Sequence, residues 1–229
     1  MKPVRLIVLA TATLAAAAAG MTIARAAPKL DWNQTVTITA EGNHLVGNSD
    51  APVKLVEYIS YTCSHCADFE AASHSQVSLG FIGIGKGSVE YRSFIRNPID
   101  IAASLVVRCG APSKFRANHA LMLRRQKTWL HTPTQAEEQR WANPDFPTAM
   151  RAIARDMGFY ALMEPRGYSR QQLDTCLADK QAASKLASQT RTAMEVEGVQ
   201  GTPSFVLNGT LLEQHDWASV RPALMAATR

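Results

Sequence analysis

The stretch "VKLVEYISYTCSHCADFE", Val53 to Glu70, limits the folds open to this chain more than any other part of it. An apolar, β-rich run bounded by the Asp50-Ala51-Pro52 turn reads as a buried strand over Val53–Ser60. It breaks into Cys63-Ser64-His65-Cys66 and continues as a helix. Cysteines three apart at a helix start share one helix face, close enough for a tight disulfide. The first also lies beside the unpaired N–H groups of the first turn, which favour its thiolate. The expectation is an exposed nucleophile at Cys63 and a buried resolving partner at Cys66. The imidazole of His65, set between them, is expected to lower the Cys63 pKa further; alone it would read as a solvated turn histidine. A second strand over Ser88–Ile95 ("SVEYRSFI") gives Val53–Ile95 the order of a βαβ unit. Gly80, Gly83 and Gly85 predict an early end to its helix.

Whether such a pair binds metal, staples the chain or exchanges electrons depends on the compartment. Lys2 and Arg5 precede an apolar stretch, Leu6 to Ile23, that ends in Ala24-Arg25-Ala26, the pattern of a cleaved signal peptide over residues 1–26. An uncleaved membrane anchor is the rival reading, disfavoured by the small residues from Ala15 to Gly20. Three of the 24 basic residues and none of the 19 acidic ones leave with that segment, so the formal charge of +5 falls to +2. Nucleic acid is therefore not an expected partner, and Arg116, Arg124, Arg125 and Lys127 read as a solvated helix face. Zinc is not expected either. Cys109 and Cys176 are isolated, and His44, His74, His119, His131 and His215 supply no second ligand pair. A purely structural Cys63–Cys66 bridge is the remaining bland reading.

Further strand signals are sparse. Gln34–Thr39 alternates like an edge strand, and Asn208-Gly209 between Pro203–Leu207 and Thr210–Glu213 is a two-residue hairpin signal. Between these halves of a sheet, from about 98 to 197, apolar periodicity predicts helices over Ile101–Cys109, Lys114–Arg125, Pro147–Met157, Arg170–Ala178 and Ala182–Met194. A last helix lies within Trp217–Ala227, with Pro222 kinking it or opening its first turn.

"VEYISYTCSHC" together with "GVQGTPSFVLNG" resembles the DsbA-like thiol–disulfide oxidoreductases of the bacterial cell envelope. The resemblance implies an α/β fold over residues 27–229, a thioredoxin-like mixed sheet with an inserted helical domain. It implies that Pro203 is cis and packs against the cysteine pair, with the backbone of Thr202 free to pair with an extended substrate. It also implies that Glu57, six residues before Cys63, is a buried acid able to take or relay the Cys66 proton; an edge-strand surface glutamate is the alternative. The implied activity is a periplasmic protein disulfide oxidase that donates the Cys63–Cys66 disulfide to reduced cysteines of exported proteins. It would need no cofactor and would be re-oxidised by a quinone-linked membrane partner of the DsbB type.

Two departures matter. Ser64 stands where proline is usual, and Thr202 where the prototype is apolar; threonine there is also found in many DsbA-like proteins, as well as in isomerases and DsbG-like relatives. Those relatives dimerise through an N-terminal domain for which the residues before Val53 are too few, so a monomeric oxidase is favoured. A scaffold using the fold for binding alone is the non-enzymatic alternative. Cys109 and Cys176 either form a structural disulfide, since related sequences often carry cysteines in similar places, or remain buried thiols.

Overall fold

The computed structural model describes residues 30–229; the expected signal segment lies outside the described residues. Six strands form one sheet in the order β1-β2-β4-β3-β5-β6: β1 (Val36–Ile38), β2 (His44–Gly47), β3 (Val53–Ile59), β4 (Gly87–Ser93), β5 (Ser204–Leu207) and β6 (Thr210–Leu211). The apolar run that opens the redox sequence is β3, at the centre, parallel to β4 on one side and antiparallel to β5 on the other. Its two-residue period sends Leu55 and Ile59 into the main core and Tyr58 to the opposite face with Phe94, Ala193 and Val199.

Parallel neighbours need a crossover, supplied by α1 (Ser64–Val77). The early end predicted from the glycines does not occur. A π turn over Ser78–Ile82 carries the helix through Gly80 as far as Gly83, whose N–H donates to Ser78 O at 2.8 Å. Phe81 and Ile82 are fully buried in that turn. Burying two such side chains is worth about 1.5–3 kcal/mol each, more than the ~1 kcal/mol that a helical glycine costs. The Phe81 ring in turn requires Gly87 at the start of β4, where a Cβ would stand 2.1 Å from ring atoms.

Between β4 and β5 lie only helices: α2 (Pro98–Val107), α3 (Phe115–Arg124), α4 (Gln126–Trp129), α5 (Gln135–Trp141), α6 (Phe146–Asp156), α7 (Phe159–Met163), α8 (Arg170–Leu177) and α9 (Lys180–Glu195), with two short 3-10 turns. The five helices read from periodicity are α2, α3, α6, α8 and α9. Sequence periodicity missed α4, α5, α7 and the strand β2, each too short to show a repeat. The fold is thus a thioredoxin-like mixed sheet with a helical insertion. Asn208 and Gly209 both take positive φ, 49° and 86°, the requirement of a type I′ turn. Asn208 also ties that turn to β3, accepting at Oδ1 from Lys54 N and donating its own N–H to Lys54 O. In α10 (Trp217–Ala227), capped by Asp216, Pro222 falls in the second turn.

Cys109, just beyond α2, and Cys176, in α8, form a disulfide across 67 residues of the insertion. Closing a loop of that length constrains the unfolded chain, and such bridges typically contribute about 2–4 kcal/mol. Counting thiols on a denatured Cys63→Ala/Cys66→Ala variant is expected to give none, and two would refute the bridge. Cys109→Ala/Cys176→Ala should lower urea-unfolding stability by about 2–4 kcal/mol.

Candidate redox site

Between the end of β3 and the start of α1, residues 60–63 belong to neither element, so their backbone groups need partners from elsewhere. Cys63 is the N-cap of α1, with φ −89° and ψ 120° and no side-chain cap. Its Sγ–H donates to the carbonyl of Thr202 at 3.1 Å, and the Thr202–Pro203 peptide is cis. Both Cys63 and Cys66 are free thiols. The expectation of an exposed nucleophile is corrected: Cys63 is 3 % exposed, against 0 % for Cys66, because the Thr202-Pro203 segment folds back over its sulfur.

The two thiols are driven apart. The Cys63 pKa falls to about 4, chiefly because the Cys66 S–H donates to its thiolate. Desolvation opposes this, while the Thr202 hydroxyl and the backbone N–H groups of Cys66 and His65 add to it. Cys66 is pushed well above the usual thiol range, first by burial and then by Cys63. Thr202 Oγ1 is buried without a partner beside the neutral thiol, a donor ready for either sulfur once it ionises. His65 acts on the sulfur through its backbone N–H, while the residue lines the neighbouring groove.

That groove, about 520 Å³, is bounded by His65, Gln200, Gly201, Thr202, Pro203, His215 and Asp216. His215 was not singled out in the sequence. Its Nδ1–H donates to the Pro203 carbonyl at 2.8 Å, bracing the cis segment from behind.

Glu57 is 3 % exposed on the central strand, level with Tyr91 of β4 and Phe205 of β5, which excludes an edge-strand surface position. Burial, followed by the charge of Glu70, raises its pKa to about 8, and its Oε1 has no partner. At neutral pH it is therefore mostly protonated. Arg116 corrects a second reading: it is no part of a solvated face but is buried, donating through Nη1 to Glu70 Oε1 at 2.9 Å. Burial works against ionisation of Glu70, yet hydrogen bonding to His74 and the Arg116 charge hold it at about 2. Arg124, Arg125 and Lys127 are exposed as expected. Among the described residues no group of three His, Cys, Asp or Glu side chains could hold a metal ion.

A buried pair of thiols of opposed acidity, set against a cis-proline segment at the first turn of a helix, is the arrangement of a thioredoxin-type redox centre. The sequence model described as "Thioredoxin" matches residues 39–226, and the chain belongs to this family. It is 45 % identical to a protein-disulfide isomerase of Novosphingobium aromaticivorans, whose crystal structure superposes with a TM-score of 0.78, covering 83 % of this chain and 100 % of that one. The α-DsbA1 of Wolbachia pipientis shares the fold at 15 % identity and a TM-score of 0.68, covering 83 % of this chain and 93 % of that one. A Rickettsia bellii protein named "Putative protein-disulfide oxidoreductase" is 27 % identical over 191 residues, which are 82 % of this chain. The match spans 66 % of the length of that relative.

Removing the Thr202 hydroxyl with Thr202→Val should raise the Cys63 pKa by about one to two units, the worth of a hydrogen bond to a charged group. His65→Ala keeps the N–H and should leave it near the wild-type value. Thiolate absorbance of the reduced protein measures both. The depressed pKa also fixes a pH dependence. The thiolate's contribution to stability of the reduced form is full above the ordinary thiol pKa near ~8.5 and is lost as pH falls through about 4. Urea unfolding of reduced protein against a Cys63→Ser control checks the sign; a contribution that instead grows as pH falls would overturn it.

Proposed function

We propose that the protein is a periplasmic thiol–disulfide oxidoreductase that donates a Cys63–Cys66 disulfide to reduced cysteines of exported proteins. The observation that carries this reading is the opposed acidity of the two thiols, about 4 at Cys63 and far above the usual range at Cys66. In the oxidised protein a substrate thiolate attacks Cys63 Sγ. A mixed disulfide forms and the electron pair leaves on Cys66, whose high basicity draws a proton. Glu57, protonated at neutral pH, is the buried group assigned to supply or relay it. A second substrate thiolate then attacks the substrate sulfur of the mixed disulfide and expels Cys63 as a thiolate. The substrate is oxidised by two electrons, and the protein is left as the dithiol. A stabilised Cys63 thiolate is both a good leaving group and a bias toward the reduced form, which makes the disulfide oxidising.

The groove beside the cis segment suits an extended peptide, with Thr202 and Pro203 in contact with the substrate. Once Cys63 ionises, its sulfur no longer donates to the Thr202 carbonyl, which becomes free to accept from substrate backbone. The expected signal segment supports export. The reading includes a monomer, no bound cofactor, and re-oxidation by a quinone-linked membrane partner of the DsbB type. A second reading, a reductase or isomerase held reduced, draws on the Novosphingobium relative named an isomerase. The redox state of the pair in freshly extracted cells separates them: oxidised supports the donor and reduced the isomerase.

Equilibrating the pair with glutathione is expected to show a strongly oxidising disulfide. Cys66→Ala should accumulate mixed disulfides with envelope proteins through Cys63, seen on non-reducing gels. Absence of any Cys63-dependent adduct would leave only the scaffold reading.

A further inference from the structure

The segment Ser60–Cys63 is held by two side chains of the helical insertion that divide its polar groups between them. Asp100, fully buried in the first turn of α2, takes the donors: Ser60 Oγ–H at 2.9 Å, Thr62 N–H at 2.9 Å and Thr62 Oγ1–H at 3.1 Å. Gln126, 3 % exposed at the start of α4, serves the acceptors. Its Nε2 donates to the carbonyl of Tyr61 at 2.7 Å and to that of Cys63 at 2.8 Å. The Cys63 carbonyl also receives the first intrahelical bond of α1, from Ala67 N at 3.3 Å.

We propose that Gln126 is a positioning residue for the redox pair, acting through the carbonyls of Tyr61 and Cys63 to hold the N–H groups of His65 and Cys66 on the Cys63 sulfur. This deepens the oxidoreductase reading and rests on it. The physical reason is the N-cap geometry. A helix terminus stabilises a thiolate only while its free N–H groups point at the sulfur, and that direction is set by the backbone angles of the cap residue. Cys63 has no side-chain cap of its own, so its carbonyl is the handle by which ψ is fixed, and Gln126 grips it from the other side. The same two donors withdraw electron density from carbonyl dipoles next to the sulfur, where thiolate charge develops. The insertion thereby acts on the chemistry without touching either sulfur through this side chain.

Gln126→Met and Gln126→Glu keep the length of the side chain and lose at least one of the two N–H donors in any protonation state. Each is expected to raise the Cys63 pKa and to weaken the preference for the reduced form against glutathione about tenfold, one pKa unit in equivalent terms. Leu173→Ala, a fully buried insertion residue of α8, should lower unfolding stability without moving either quantity. In the wild type the Gln126 side-chain amide resonances should shift with the same apparent pKa as the Cys63 thiol, which tests the coupling even if both Gln126 variants fail to fold. A Gln126 variant that loses stability while its pKa and glutathione equilibrium stay within twofold of wild type overturns the proposal, as do amide resonances that do not titrate with Cys63. An ordinary thiol pKa in the wild type would instead overturn the disulfide-donor reading, and this inference with it.

Discussion

The structure turns on one placement, the sulfur of Cys63 at the open N-terminus of α1. Unpaired N–H groups there lower the energy of negative charge, and the same charge lies next to a neutral Cys66 thiol that can donate to it. Getting the sulfur to that point requires β3 to be the central strand, so that the chain leaves the sheet over its middle. It also requires α1 to cross over to β4. The cis segment at Thr202-Pro203 then closes from β5, immediately beside β3.

Burial on this scale sets two requirements against each other. Charged forms are penalised in the core, yet the chemistry needs one thiolate. Asymmetry resolves the conflict. The Cys66 thiol and the backbone N–H groups of Cys66 and His65 favour charge on Cys63, and burial leaves Cys66 neutral. The same rule runs through the carboxylates on the core side of the sheet. Glu70 stays ionised because His74 and Arg116 surround it, and Glu57, with one oxygen unpartnered, is pushed toward the neutral acid. Two buried acids one helix and one strand apart thus hold opposite protonation states at neutral pH, the condition under which a group can hand over a proton.

The helical insertion does more than enlarge the domain. The disulfide between Cys109 and Cys176 restrains its middle, and its two ends of contact with the redox loop are Asp100 and Gln126. A loop between a strand and a helix cannot satisfy its own backbone groups. The insertion supplies what is missing, so stability of the insertion and geometry of the cysteine pair are parts of one construction.

The amino-acid sequence by itself determined the redox junction, the βαβ unit around it, the helical block, the Asn208-Gly209 hairpin and the proline segment. The first four are local signals, carried by spacing, periodicity or a turn residue with special φ, and the proline segment is read from the family resemblance. Only the tertiary structure decided what lies opposite what. Glu57 could be a surface or a buried acid until β5 was seen to flank β3. Arg116 looked like a solvated helix residue until α3 was seen against α1 with Glu70 beneath it. Cys63 looked exposed until the Thr202 carbonyl was found over its sulfur. Gln126 and Asp100 carry no motif at all, being 63 and 37 residues from Cys63 in the chain. Gln126 serves two backbone carbonyls, and Asp100 takes the hydroxyls of Ser60 and Thr62 with the Thr62 N–H; partners so far apart in the chain are brought together by packing alone and leave no local pattern.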